Sequence, residues 1–243
     1  GGVYLDVTHL PRQQIEEKLP VMLEQFLKFG VDIRKEPMEV APTAHHMMGG
    51  LKITTECQTT LPGLFACGES AGGVHGANRL GGNALADTQV YGKRAGEFAG
   101  KSEKRIKKID PDQVRREKDR LSAFFKGNAN PARVADELRQ AMWKGAGIFR
   151  TAGELKATLD TVNRLATIPL SARSSRNLPE CCTVQNMILT ASLVCRAALL
   201  RPESRGAHTR TDITQAWDAE HSPFSHTFLS LAGEGIEKRG GAA

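Results

Sequence analysis

The chain has 243 residues, a net charge of +6, 40% hydrophobic and 25% charged residues, ordinary values for a globular protein able to bury a sizeable core in one or two domains. No apolar run approaches the roughly 20 residues that span a bilayer, which argues against a direct membrane span. The densest positive stretch, Lys101-Ser-Glu-Lys-Arg-Ile-Lys-Lys108, lacks interleaved aromatics and reads as a solvated linker, which argues against a nucleic-acid partner.

The sequence opens Gly1-Gly2-Val3-Tyr4, directly in a strand-like run with neither Met nor a signal peptide, which suggests a fragment of a longer protein. Val3 to Val7 reads as a strand. Pro11 then opens an amphipathic helix of about five turns, with Ile15, Leu19, Met22, Leu23, Phe26 and Leu27 along one face. Residues 32–62 alternate short β-like runs with turns, among them Met48–Thr54. Leu64–Cys67 reads as a short apolar strand ending at Gly68. A helix is predicted from Asn83 to about Gly100, with Leu85, Val90, Ala95 and Phe98 inward.

Beyond the basic stretch the pattern is helical, with helices near 112–126, 131–145, 152–165 and 181–200. Asn130-Pro131 places Pro just inside a helix start, and Thr151-Ala-Gly-Glu154 has the spacing of a capping box. Short connections favour antiparallel neighbours in a bundle. The tail shows no period until His226–Ser230, which reads as a strand, and there is no internal repeat. The five cysteines form no CxxC pair and no metal-ligand spacing, which suits reduced thiols and predicts no metal site; Cys181-Cys182 reads as two small buried residues. The fold class is therefore α/β plus all-α, with an α/β domain over 1–108 and a helical domain over 109–243. The first has too few strands for a complete doubly wound sheet, and no Gly-x-Gly-x-x-Gly follows an N-terminal strand.

Two segments concentrate chemistry. The first, Gly63–Glu69 followed by His75-Gly-Ala-Asn-Arg79-Leu-Gly-Gly-Asn83-Ala-Leu85, reads as strand, glycine-rich loop and helix start. It sets a carboxylate, bare backbone N–H groups and a guanidinium around one point, where a dinucleotide cofactor and an anionic substrate would both fit. Arg79 offers a fork that matches a carboxylate, or is a solvated loop arginine. Glu69 suits sugar or ribitol hydroxyls, or is a loop acid. The N–H groups at Asn83, Ala84 and Leu85 suit negative charge on a cofactor such as reduced flavin. His75 is either a ligand or a residue that holds its neighbours.

The second segment is Pro42-Thr-Ala-His45-His46-Met-Met-Gly49-Gly50. His45 beside a glycine pair can donate to a substrate carboxylate near neutral pH, or can pair with a backbone carbonyl. His46 reads as facing the other way. Ser204–Asp212 carries two arginines and His208, and is either a segment reaching back to the site or a turn held by an Arg–Asp pair.

Leu64–Glu69 and His75–Asn83 resemble the C-terminal half of the FAD-binding, Rossmann-like domain of succinate dehydrogenase and fumarate reductase flavoprotein subunits. Pro42–His45 with Met48-Gly49-Gly50 is similar to their substrate-binding His motif. Met142-Trp143, Gly147–Thr151 and Glu203–His208 resemble their C-terminal helical domain. The likeness runs from Val3 to about Ser230. It implies FAD as cofactor, held by Gly49, Gly50, Glu69, Asn83, Ala84 and Leu85. It also implies hydride transfer between flavin and succinate or fumarate, with His45 and Arg79 as catalytic residues clamping the dicarboxylate. The family's N-terminal glycine fingerprint and its capping domain, with the proton-donating arginine, have no counterpart. His46 stands where Tyr is common, and the loop after Glu69 is one residue shorter than in many respiratory members. This implies that the chain alone binds FAD poorly and is inactive. L-aspartate oxidase shares these motifs and is the alternative, although its members more often carry Cys where Met48 stands. A further alternative is a non-catalytic module docking an iron–sulfur electron-transfer subunit. The expected location is cytoplasmic, with any membrane association made through partner subunits.

Overall fold

A computed structural model describes residues 2–102, 109–214, 225–230 and 233–238. Contacts divide the chain into two units, Gly1–Met47 and Met48–Ala243.

In the first unit, β1 (Val3–Leu5) pairs antiparallel with β2 (Met38–Val40). Between them the predicted single helix is two, α1 (Arg12–Lys18) and α2 (Pro20–Leu27). The break follows from Pro20, which lacks an N–H and pushes Leu19 out of helical geometry, to φ −126° and ψ 38°. The apolar stripe survives it: Ile15 and Leu23 are buried with Ile33 and Met38, and Leu19, Met22 and Phe26 pack against them, whereas Leu27 is exposed. Arg34 closes this core by pairing through two of its nitrogens with Asp32, at 2.8 and 3.0 Å, and with Glu16 at 2.7 Å. The guanidinium holds the Asp32 carboxyl well below its ordinary range.

In the second unit, β3 (Leu51–Lys52) runs parallel to β4 (Ala71–Gly72). The strand expected over Leu64–Cys67 is a single bridge, Phe65 to Gln58. A turn limits it: Cys57 sits at φ 63°, and its carbonyl accepts from the Ala66 N–H at 2.9 Å. The long helix α3 (Asn83–Lys101) begins where expected, and its inward face matches at Ala95 but not at Leu85 or Val90. Asp87 and Ala95 are buried, and Leu85 and Val90 are 77% and 60% exposed. The inward line follows Asp87, the half-buried Tyr91 and Ala95 at helical spacing, because this face meets the 55–66 turn; Cys57 Sγ contacts the Tyr91 carbonyl at 3.7 Å.

The helical half follows the sequence more closely. Asp110 caps α4 (Pro111–Ala123), which ends in a 3₁₀ turn over Phe124–Lys126. Asn130 caps α5 (Pro131–Gly145), accepting from Ala132 N–H at 2.9 Å with Pro131 just inside. Thr151 caps α6 (Ala152–Ala166), its Oγ1 accepting from Glu154 N–H at 3.1 Å and donating to the Glu154 carboxylate at 2.8 Å. The last helix, α7 (Leu178–Leu199), starts three residues before 181 because Pro179 is tolerated in a first turn.

By length and composition α7 could cross a membrane, which corrects the expectation that no stretch approaches that measure. Its stripe of Cys181, Val184, Ile188, Ala191, Cys195 and Ala198 is nonetheless buried, which makes it the core helix of the bundle. Val162 and Leu165 of α6, and Val134 and Leu138 of α5, complete that core. Leu165→Ala should lower unfolding free energy by about 2–5 kcal/mol, since its side chain is fully buried and a cavity would remain. A urea titration checks this, and an unchanged midpoint would contradict the packing.

Two further ladders lie in this unit. β5 (Phe149–Arg150) runs parallel to β6 (Thr209–Arg210), and β7 (Ser225–Ser230), expected as a strand, pairs antiparallel with β8 (Gly233–Lys238). The linker predicted at Lys101–Lys108 lies outside the described residues from 103 to 108.

Candidate functional site

The glycine-rich segment folds as a loop laid over the first half of α3. Gly68, at φ 61°, opens a 3₁₀ turn, Gly68–Ser70, that carries Glu69 outward to solvent. A Cβ on Gly68 would meet the Thr88 side chain at 3.0 Å, so this turn rests on α3 itself. The loop's return is pinned by His75, whose Nε2 lies 3.2 Å from Asp87 Oδ2 with both side chains buried. Of the two roles open to His75, it thus takes that of holding its neighbours.

Arg79 follows, with Nη1 3.5 Å from the Leu80 carbonyl and Nε shielded from solvent. Gly82 then adopts φ 83° and opens α3 with no side-chain cap. Asn83 and Leu85 are exposed and Ala84 is half-buried; the Asn83 N–H donates to the Leu80 carbonyl at 3.2 Å, and the first-turn amides that follow it face the Arg79 loop without a side-chain cap. On the other flank Gly50 meets β4 as bare backbone. A Cβ there would lie 2.5 Å from the Ser70 carbonyl oxygen and 2.8 Å from Gly72 N, while Gly49 faces open space. Gly49, Gly50, Glu69, Arg79, Asn83, Ala84 and Leu85 all belong to this second unit. His45 belongs to the first, exposed, with its ring 6.5 Å from that of His46.

These residues fit FAD. The β3–β4 approach is a glycine cradle that any side chain would fill, and the helix end offers amides to negative charge. Two buried polar atoms of this unit, Arg79 Nε and Asp87 Oδ1, lack a hydrogen-bond partner among the described residues. The first is a donor beside the open helix end, as an anionic group would require.

One part of the neighbourhood, the buried Asp87, has no local signature, whereas Ser204–Asp212 has one. Asp87 occupies a position that apolar periodicity gives to an aliphatic side chain, and its tie to His75 spans twelve residues. Ser204–Asp212 fulfils both of its alternatives. Arg210 pairs with Asp212 through two of its nitrogens at 2.8 and 2.9 Å, which holds the Asp212 carboxyl well below its ordinary range, and Asp212 also accepts from the first amide of α6 at 2.8 Å. At the same time Ala207 N–H donates to the Ala77 carbonyl at 3.2 Å, so the segment does reach the loop that carries Arg79.

Residues 1–85 match the model of an FAD binding domain, and residues 135–237 that of the fumarate reductase flavoprotein C-terminal region. The chain is 49% identical over 226 residues to a fumarate reductase (CoM/CoB) subunit of Methanothermobacter marburgensis, covering 88% of this chain and 41% of that protein. It is 33% identical over 221 residues to an L-aspartate oxidase of Acinetobacter baylyi, covering 86% of this chain and 39% of that one. A solved quinol–fumarate reductase with menaquinol molecules superposes with a TM-score of 0.85 at 33% identity, over 97% of this chain and 44% of its own. The chain thus spans less than half the length of the relatives it matches.

Proposed function

The chain belongs to the succinate dehydrogenase and fumarate reductase flavoprotein family, and from that premise we propose that the whole protein interconverts fumarate and succinate. An FAD-binding part is followed by a helical domain, and the cofactor is FAD. When bound, FAD supplies the group that accepts or donates hydride. This chain's residues bind and orient. Arg79 grips one carboxylate of the dicarboxylate with its planar fork, and His45 donates to the other. Glu69 accepts from hydroxyls of the cofactor, the helix end at Asn83, with the amides of Ala84 and Leu85, stabilises its negative charge, and Gly49-Gly50 let a flat ring lie against backbone.

The observation that carries this reading is the uncapped N-terminus of α3, opened by Gly82, with Arg79 three residues ahead and Glu69 on a turn packed against the same helix. On this reading the domains are 1–108 and 109–243, a division by function that differs from the contact units, which divide at Met47 and Met48. The relatives named as subunits support partner subunits, among which we place an iron–sulfur protein that carries electrons. Through such partners an otherwise cytoplasmic chain would attach to a membrane.

Identity of 33% to an L-aspartate oxidase favours a second reading, in which the reducing substrate is aspartate. The 49% relative is named a fumarate reductase, which favours the first. Anaerobic bleaching of the flavin band in the full-length protein separates them. Succinate should bleach it and L-aspartate should not. Bleaching by aspartate alone moves the assignment, and bleaching by neither removes the dicarboxylate reading.

A further inference from the structure

Two residues before Arg79, the Ala77 carbonyl receives the tip of a turn from the helical half. That turn is tight: Arg205 N–H donates to the His208 carbonyl at 2.7 Å, and His208 N–H donates to the Arg205 carbonyl at 3.0 Å. Gly206 sits at φ 58° and so close to the Ala77 carbonyl that a Cβ would collide with it, which leaves glycine as the residue that fits. Beside Gly206, Ala207 N–H makes the bond to Ala77.

The turn is braced from behind by one imidazole. His208 Nδ1 lies 3.0 Å from Arg150 Nη1, and Nε2 lies 3.1 Å from the Arg201 carbonyl. A guanidinium only donates and a carbonyl only accepts. The ring satisfies both when neutral, with its proton on Nε2. Arg150 is itself fixed by donating through Nε to the Gly147 carbonyl at 2.8 Å, and its strand pairs with β6. The brace therefore runs from the α5–α6 connection through Arg150 and His208 to the turn, and from the turn to Ala77.

We propose that residues 203–208 act as a strut that sets the position of the Arg79 loop, with His208 as its positioning residue. This rests on the assignment of Arg79 to the dicarboxylate. No part of the strut touches substrate; it fixes where the guanidinium stands.

The charged groups around His208 make the strut sensitive to acid. Arg150 faces it from β5, Arg201 from beyond the end of α7 and Arg210 from β6. Arg205 stands on its own turn, with Glu203 paired to Arg201 at 2.8 Å and to Arg205 at 3.5 Å, and Asp212 paired to Arg210. Cys195 of α7 adjoins Arg150. Burial holds His208 below its ordinary 6.5, with the three arginines acting the same way and the Arg201 carbonyl bond opposing them. The neutral-ring contribution is therefore complete above 6.5, and is lost as pH falls through the lower folded value. Once protonated, Nδ1 presents a donor to a donor, and the bond to Arg150 is lost.

The test uses the full-length protein, with flavin content, kcat and succinate KM measured from pH 5 to 8 for wild type, His208→Ala, His208→Gln and Arg79→Ala. His208→Ala should raise KM by roughly tenfold at unchanged flavin content, the scale of one buried bond left unmade. Gln should restore it, since its carbonyl oxygen can accept from Arg150 and its amide can donate to the Arg201 carbonyl. Wild type should show KM rising on the acid side of 6.5, and Gln should not. A wild-type KM in His208→Ala, or the same acid-side rise in Gln, overturns the strut. If the Ala variant does not fold, the Gln profile decides alone. An unaltered KM in Arg79→Ala would strike the assignment of Arg79 itself. Loss of binding there with no effect at His208 would strike the strut only.

Discussion

Arg79→Ala in the full-length protein should lower kcat/KM for succinate by about 30- to 4,000-fold while leaving the bound flavin in place. Removing one partner of a desolvated charge pair costs about 2–5 kcal/mol, and each 1.4 kcal/mol is tenfold. The residue is placed for such a role. Its Nε is buried with no partner among the described residues, and it stands three residues before Gly82, the uncapped start of α3. Arg79→Lys should recover a small part of the loss, because an ammonium supplies charge without the two-pronged geometry. Stopped-flow bleaching under anaerobic conditions reads both variants. An Arg79→Ala protein that is bleached by succinate at the wild-type rate and concentration dependence would remove Arg79 from the dicarboxylate site.

Gly50→Ala should strip most of the FAD from the protein during gel filtration, read as the ratio of flavin to protein absorbance. The methyl group would fall 2.5 Å from the Ser70 carbonyl oxygen, 2.7 Å from Ala71 C and 2.8 Å from Gly72 N. All three are backbone atoms, so no side chain can turn aside. β3 and β4 must separate, and the 3₁₀ turn that carries Glu69 ends at Ser70, where the first collision occurs. Overpacking of this kind costs about 1–3 kcal/mol. The effect falls on the cradle rather than on the helical core. Gly96→Ala is the control, because it lies on α3 with no atom within 4 Å of its added methyl. It should keep its flavin and gain slightly in helix stability. Full flavin occupancy in Gly50→Ala would mean that the glycine approach does not serve the cofactor.

Legibility in the sequence followed the range of the interaction. Starts of α5 and α6 were readable because Asn130-Pro131 and Thr151–Glu154 satisfy orphan amides within three residues. The start of α3 was readable because Gly81-Gly82 and Asn83 mark a loop passing into a helix. The inward face of α3 was only partly so. Apolar spacing favoured Leu85 and Val90 together with Ala95, yet beside Ala95 the buried residue is Asp87, made acceptable by His75 on the facing loop. The helix break at Leu19 was masked by the continuing apolar stripe from Ile15 to Phe26, although Pro20 carries the local signal for it.

By itself the sequence determined most of the bundle helices and the start of α3, and it offered Glu69, Arg79, the glycines around them and His45 as candidates for the site. Each depends on residues adjacent along the chain, through hydrogen bonding, φ preference or helical period. Only the tertiary structure decided which of these meet. The bare-backbone approach of Gly50 to Gly72 joins β3 to β4, and the Arg150–His208 contact spans 58 residues. The seat of Ala207 on Ala77 joins the helical half to the Arg79 loop. No local preference encodes such pairings. They arise when separate elements bury their faces against one another, and polar groups carried into those interfaces take as partners whatever the packing brings within reach.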